Sequence, residues 1–267
     1  MDFFQLTIIS LIQGITEFLP ISSSGHLVLL PAVTSFQDQG QLIDVAAHFG
    51  TLGAVIIYLW SDIFKMTRAT LTFGKSDKQG LLMSMMLILA SLPVIFVGLI
   101  IDLLDPAFLR LAITVAIANL FFAGWLYHAD KTAPDDRTID MLSFGDAFKI
   151  GCAQILALIP GTSRSGVTMT MARQCGYSRL AAARFSMLMS VPVILGATIL
   201  KARHFFTEGT DASLIQAGFV ALLSLITALA AIRFMMGWLA QADFKIFVYY
   251  RLALGVVLLG ALATGMI

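Results

Sequence analysis

Six stretches of this 267-residue chain are apolar for long enough to cross a bilayer as helices, and that fixes the solvent in which it must fold. They cover about 46–60 (lengthened by its flanks), 82–104, 110–127, 182–200, 214–236 and 248–266. A spanning helix takes about 20 such residues. Charged residues make up 12% of the chain and gather between the apolar runs, whereas a soluble domain carries about 25%. In hydrocarbon every backbone N–H and C=O needs a partner within the chain, which leaves helices or closed barrels. The short alternating segments of a barrel are missing, so the expected class is an all-α polytopic membrane protein.

The rest of the composition excludes other classes. A net charge of +1 does not suit a nucleic-acid binder. The opening Met1-Asp2-Phe3-Phe4-Gln5 has neither the basic region nor the small-residue cleavage site expected of a signal peptide. Cys152 and Cys175 are far apart, form no CxxC pair and are read as unpaired.

Two further apolar stretches, about 3–36 and 143–172, are broken by polar segments that hold glycine and proline. The first runs from Gln13 through Glu17, Pro20, Ser22, Ser23, Ser24 and Gly25 to His26. The second runs from Gln154 through Pro160, Gly161, Thr162, Ser163, Arg164, Ser165 and Gly166 to Thr168. A charged group at membrane depth costs about 2.5–3.5 kcal/mol on the mildest scale. A chain that places such groups there twice is building a site. Broken backbone is tolerated at that depth only where it lines a polar cavity, so each stretch is expected to form a re-entrant helix–loop–helix hairpin.

The hairpins belong to a larger repeat. Gln13 falls on Gln154, and Ser22–Gly25 on Ser163–Gly166, a displacement of 141. Ala46-Ala47-His48-Phe49 matches Ala182-Ala183-Arg184-Phe185, and Arg110-Leu111-Ala112 matches Arg251-Leu252-Ala253. Within one membrane domain the chain divides into residues 1–127 and 143–267, each a hairpin followed by three spanning helices. Three crossings turn the second half over, giving two inverted-topology repeats with a site at mid-membrane. Loops 61–81 and 128–149 supply most of the lysine and arginine on one face, where Arg173, Arg184 and Arg251 are also counted. The other face receives only Arg110, Lys201 and Arg203. The richer face is expected to be cytoplasmic, with both termini outside.

The motif residues suggest phosphoryl chemistry. Gln13 and Glu17, four apart, share a helix face, and their oxygens suit a hard cation such as Mg²⁺ or Ca²⁺. Glu17 is the candidate metal ligand, or else it positions a histidine. Ser22, Ser23 and Ser24 before Gly25-His26 cap a helix and offer hydroxyls beside an imidazole, a usual general acid or base. Arg164 supplies the planar fork that matches phosphate oxygens in pairs. Gly161, Ser163, Ser165 and Thr168 would add backbone and hydroxyl donors around it. Glu17, Ser23, His26 and Arg164 are therefore the candidate catalytic residues. Gln13, Ser22, Ser24, Gly25, Gly161, Ser163, Ser165 and Thr168 are the candidate binding residues. In one version Ser23, or a water in its place, attacks phosphorus and His26 handles the proton; in another His26 itself attacks. Asp44 and His48, also four apart, are either a structural pair or a support for the site.

These motifs resemble the signature regions of the BacA/UppP undecaprenyl-pyrophosphate phosphatases. The likeness lies in Gln13-x-x-x-Glu17, in Ser22-Ser23-Ser24-Gly25-His26 and in Pro160–Thr168, and extends through Phe49–Leu52 and Arg184–Ser186. That family's first signature is (Glu/Gln)-x-x-x-Glu; with glutamine at position 13, the weight of cation binding moves to Glu17. The resemblance implies hydrolysis of a C55 polyprenyl diphosphate to the monophosphate. That activity recycles the carrier for peptidoglycan synthesis and is associated with bacitracin resistance. It also implies divalent-cation dependence and a site open to the periplasmic side of a bacterial inner membrane. A homodimer is left open.

Two rivals are weighed against this reading. Inverted repeats with broken helices also build lipid or small-anion transporters, but translocation alone does not need arginine, histidine, carboxylate and serine together. A PAP2-type lipid phosphatase, suggested by Ser24-Gly25-His26, would need a histidine six residues after Arg164, where Thr170 stands.

Overall fold

The computed structural model describes residues 2–265 except 24, 28, 29, 31–33, 35, 37–39, 105, 107, 108, 110, 209 and 210, with backbone alone at 200–208, 211 and 212. Among the described residues there is no strand, only one isolated bridge between Arg137 and Tyr177. The helices are α1 (Phe3–Thr16), α2 (Gly40–Tyr58), α3 (Trp60–Leu71), α4 (Lys78–Leu104) and α5 (Ala112–Thr132). They continue with α6 (Phe144–Gln154), α7 (Arg164–Gln174), α8 (Arg179–Glu208), α9 (Asp211–Leu239) and α10 (Lys245–Ala263). Six are long and apolar enough to cross a membrane: α2, α4, α5, α8 through Ile199, α9 from Ser213, and α10. Each overlaps one of the six runs expected from sequence, with ends that differ by a few residues.

The burial pattern follows from a solvent that is itself apolar. Large side chains face outward, among them Leu92, Phe96 and Leu99 of α4, Phe121 of α5, and Val256 and Val257 of α10. Where α2 and α9 pack together, small or polar residues stand among the buried ones, Ala47, Thr51 and Ala54 on one helix and Ala217, Ser224 and Ala228 on the other. Lipid gives no hydrophobic drive for helices to associate, so close backbone approach and hydrogen bonding must hold them. A Cβ on Gly50 would stand 2.1 Å from the Ala221 carbonyl oxygen, so only glycine permits this contact.

Beside the 12-residue α3, the three helices that flank the polar segments are too short to cross alone. At 1.5 Å per residue, the 14 residues of α1 and the 11 each of α6 and α7 fall short of the roughly 30 Å hydrocarbon core. α1 packs on α9 and α2, α6 on α4, and α7 on α5 and α8. The first polar segment follows α1. The second lies between α6 and α7, after a 3₁₀ turn at Ile155–Leu158.

Two arginines counted as face charges are buried in the fold. Arg173 is fully buried: Nε donates to Asp130 Oδ1 at 3.2 Å and Nη1 to Asp135 Oδ1 at 2.9 Å. Asp130 also accepts from Arg179 Nε at 2.7 Å and from the Phe244 N–H at 3.1 Å, knotting together the ends of α5, α7, α8 and α10. Arg251, in α10, is fully buried as well. Arg184 keeps an accessible side chain but pairs through two nitrogens with Asp62.

Candidate active site

Both polar segments turn through the same unusual backbone. Ser22 and Ser163 adopt left-handed φ values of 71° and 72°, which a side chain disfavours. Each then caps the turn that follows: Ser22 Oγ accepts from the Gly25 N–H at 3.3 Å, and Ser163 Oγ from the Gly166 N–H at 3.0 Å. The caps satisfy donors that a helix start leaves without partners.

The two turns are fastened to each other. Ser165 Oγ donates to the Leu19 carbonyl at 2.9 Å. Arg251 Nη2 donates to the Gly161 and Thr162 carbonyls, each at 2.9 Å, and Nη1 reaches the Pro20 carbonyl at 3.4 Å. Asn119 holds the staple in place: its Oδ1 accepts from Arg251 Nε at 2.9 Å, and its Nδ2 donates to the Arg251 carbonyl at 2.6 Å. Gly161 has φ 92°, and a Cβ there would lie 2.3 Å from the Val115 carbonyl oxygen.

Between the turns sits a buried ion pair. Arg164 Nη2 donates to Glu17 Oε1 at 2.8 Å, and Nη1 to the Ser186 carbonyl at 3.2 Å. Glu17 Oε2 accepts from Ser23 Oγ at 2.8 Å and from Gln13 Nε2 at 3.0 Å. His48 Nε2 lies 3.9 Å from the same oxygen. A cavity of about 280 Å³ opens here, with polar walls from Glu17, Ser23, Asp44, His48, Ser163 and Arg164. Its apolar walls come from Val94 of α4, Leu158, and Val193, Ile194 and Ala197 of α8. Val94 and Val193 each follow a proline inside their helix, Pro93 and Pro192.

The expected site residues divide into two groups. Glu17, Ser23, Ser163 and Arg164 line the cavity, and Gln13 touches it through Glu17. The others build the turns. Ser22 is a cap, Gly25 packs against Ser22 and Gly161, and Gly161 offers its carbonyl to Arg251. Ser165 ties the segments together, and Thr168 bonds the Arg164 carbonyl at 2.9 Å and Ser186 Oγ at 2.7 Å. Ser24 lies outside the described residues. His26 departs from its expected place as well. Its Nδ1 is 2.7 Å from the Ser22 carbonyl and its Nε2 2.6 Å from the Tyr250 hydroxyl, so neither nitrogen turns to the cavity. Asp44 and His48 do line it. They are joined through the Asp44 carbonyl, 2.8 Å from His48 Nδ1, and not through the carboxylate. Both cysteines are free, as expected.

The donor set bears on the expected cation. Both Glu17 oxygens already accept from Arg164, Ser23 and Gln13, and Gln13 turns its amide nitrogen to Glu17, leaving Oε1 buried and unpartnered. The Glu17 carboxylate keeps one acceptor position, on its own Oε1, too few by itself for a resident divalent ion, which takes about six oxygens.

Known proteins share this chain's pattern over nearly its whole length. The family described as bacitracin resistance protein BacA matches residues 6–257. A protein of Roseobacter denitrificans named undecaprenyl-diphosphatase is 44% identical over 263 residues, 97% of this chain and 98% of its own. Proteins of the same name from Ruegeria pomeroyi (44% over 266 residues) and Alteromonas mediterranea (40% over 261) are covered to the same extent.

Proposed function

The chain belongs to the bacitracin resistance protein BacA family, and from that premise we propose that it is a membrane phosphatase. Its reaction is hydrolysis of undecaprenyl diphosphate to undecaprenyl monophosphate and inorganic phosphate. The observation that carries this reading is the Arg164–Glu17 pair in a cavity with apolar walls. A guanidinium fork recognises phosphate oxygens, and the walls from α4 and α8 suit a prenyl chain. Ser163 and Ser23 stand beside Arg164 as hydroxyl contacts for the terminal phosphate. Phosphorus is attacked by Ser23 Oγ or by a water in its place, and the bond to the bridging oxygen breaks. Glu17 aligns Arg164 and Ser23 for this, because one carboxylate accepts from both. Fixed charge and aligned donors lower a phosphoryl-transfer barrier without moving during the reaction.

A divalent cation belongs to the same proposal as a counter-ion that would accompany the diphosphate, with Glu17 the carboxylate on the cavity wall nearest Arg164. When bound it would offset charge on the departing monophosphate.

The finer architecture has its own support. The matched left-handed turns at Ser22 and Ser163, with matched caps, favour two inverted repeats over residues 1–127 and 143–267. On this reading α1 and the α6–α7 pair are arms of re-entrant hairpins. The lysine- and arginine-rich loops 61–81 and 128–149 favour a bacterial inner-membrane protein with its site toward the periplasm. Cysteines placed at Lys75 and Lys201 should label from opposite faces; labelling of both from the cytoplasm contradicts this topology. Glu17, Ser23, His48 and Arg164 are brought to the cavity by one chain. A homodimer through lipid-facing helices is tested by counting subunits in bilayers.

The function is tested in cells by bacitracin, which sequesters the diphosphate. Expression of the chain should raise tolerance to the drug and the Arg164→Ala variant should not. Equal tolerance from both would remove Arg164 from the mechanism, and none from either would count against the reading.

A further inference from the structure

We infer that His48 is a catalytic residue: its Nε2 takes the proton from the water that attacks the terminal phosphorus. This rests on the phosphatase reading and names a residue within that site. The sequence gives the proton to His26, but both ring nitrogens of His26 are engaged away from the cavity, and its ring stacks on Tyr250 with centroids 5.7 Å apart. His48 shares the cavity wall with Glu17, Ser23 and Arg164. Its side chain is 38% exposed, so it is reachable from that space.

The tautomer follows from the bond that His48 makes. Nδ1 lies 2.8 Å from the Asp44 carbonyl, one turn earlier on α2. A carbonyl can only accept, so Nδ1 carries the hydrogen and the lone pair sits on Nε2. Nε2 is 3.9 Å from Glu17 Oε2, beyond a hydrogen bond, and keeps its accepting capacity toward the cavity. The Ser23 hydroxyl is already committed to Glu17. His48 is therefore the imidazole placed to serve a water.

The step balances. The water oxygen bonds to phosphorus as the bond from phosphorus to the bridging oxygen breaks, and that electron pair leaves with the lipid monophosphate. The water's proton passes to Nε2 and then to the released phosphate.

The test uses two variants and added imidazole, with phosphate release from undecaprenyl diphosphate as the readout. In His48→Asn the amide nitrogen takes the place of Nδ1 and keeps the bond to Asp44, but nothing stands at Nε2. Its kcat should fall by about 10²–10⁴, the usual worth of a general base, with KM within about threefold. Imidazole in solution should raise His48→Ala by about tenfold or more, since a diffusible base fills the vacated place. A His48→Asn enzyme within about threefold of wild type overturns the assignment, as does a loss carried mainly in KM. An imidazole-insensitive, folded His48→Ala overturns it too; if that variant does not fold, His48→Asn decides alone. Wild-type protein that releases no phosphate would instead sink the phosphatase reading, before any variant is compared.

Discussion

Arg164 donates to Glu17 at 2.8 Å, and in doing so joins two polar segments that lie 147 residues apart in the chain. The pair is buried, with side-chain exposures of 13% and 6%. In that setting each charge depends on the other. The geometry also keeps the guanidinium in place before any substrate arrives, with Ser186 holding its second nitrogen.

Arg164→Lys keeps the charge and loses the fork. One ammonium cannot reach both Glu17 and the Ser186 carbonyl in the same plane. Phosphate release should fall by about 10²–10³, the cost of removing one preorganised donor, while the protein stays folded. Near-normal turnover would mean that charge alone is enough at this position.

Glu17→Ala should be worse than inactive. It leaves Arg164 buried without a counter-charge, which costs about 3–5 kcal/mol when one partner of a buried pair is removed. The unfolding midpoint in detergent should drop, and activity should be lost even below that midpoint. Full activity in Glu17→Ala would contradict the account, because Ser23 and Arg164 both depend on that carboxylate.

Arg251→Met tests the staple behind the site. It removes hydrogen bonds from a charged group to the Pro20, Gly161 and Thr162 carbonyls, each worth about 1.5–3 kcal/mol. Expected are a lower unfolding midpoint and a lower kcat together, with a smaller version of both in Asn119→Leu. A stable Arg251→Met protein of normal activity would mean that the two turns hold their positions without it.

Acid should weaken the loop end of the bundle through Asp146. Burial raises that carboxyl, but hydrogen bonds from Ser143, Tyr177 and Arg137 outweigh it and leave the group below its ordinary value. A carboxyl lowered by folding adds stability above its unfolded pKa and loses it as pH falls through the folded one. The loss should therefore begin below about pH 4. Unfolding midpoints measured across that range should fall less steeply for Asp146→Asn than for wild type, and parallel curves would refute the assignment.

The parts legible in the sequence were those written in local pattern. Runs of apolar residues mark the six long helices because lipid leaves few alternatives, and the broken stretches stand out because polar groups are costly there. The roles of Ser165, Thr168 and Gly161 were not legible, since a hydroxyl or glycine in a motif can serve either the ligand or the turn. The burial of Arg251 and Arg173 was not legible for a related reason. A charge near a helix end looks like a topology signal, and only tertiary packing makes it a buried staple. Asn119, a polar residue within an apolar run, was a signal that could have located the Arg251 contact. Tyr250, which occupies Nε2 of His26, had no such mark, because a tyrosine near a helix start reads as an interface residue.

The most direct measurement is phosphate release from undecaprenyl diphosphate by the purified protein in detergent, beside Arg164→Ala. The account predicts one phosphate and one lipid monophosphate per diphosphate consumed by the wild type, and a rate reduced to near background in the variant. Release at equal rates from both proteins would contradict it, and so would a folded wild-type protein that binds the lipid and leaves the diphosphate intact.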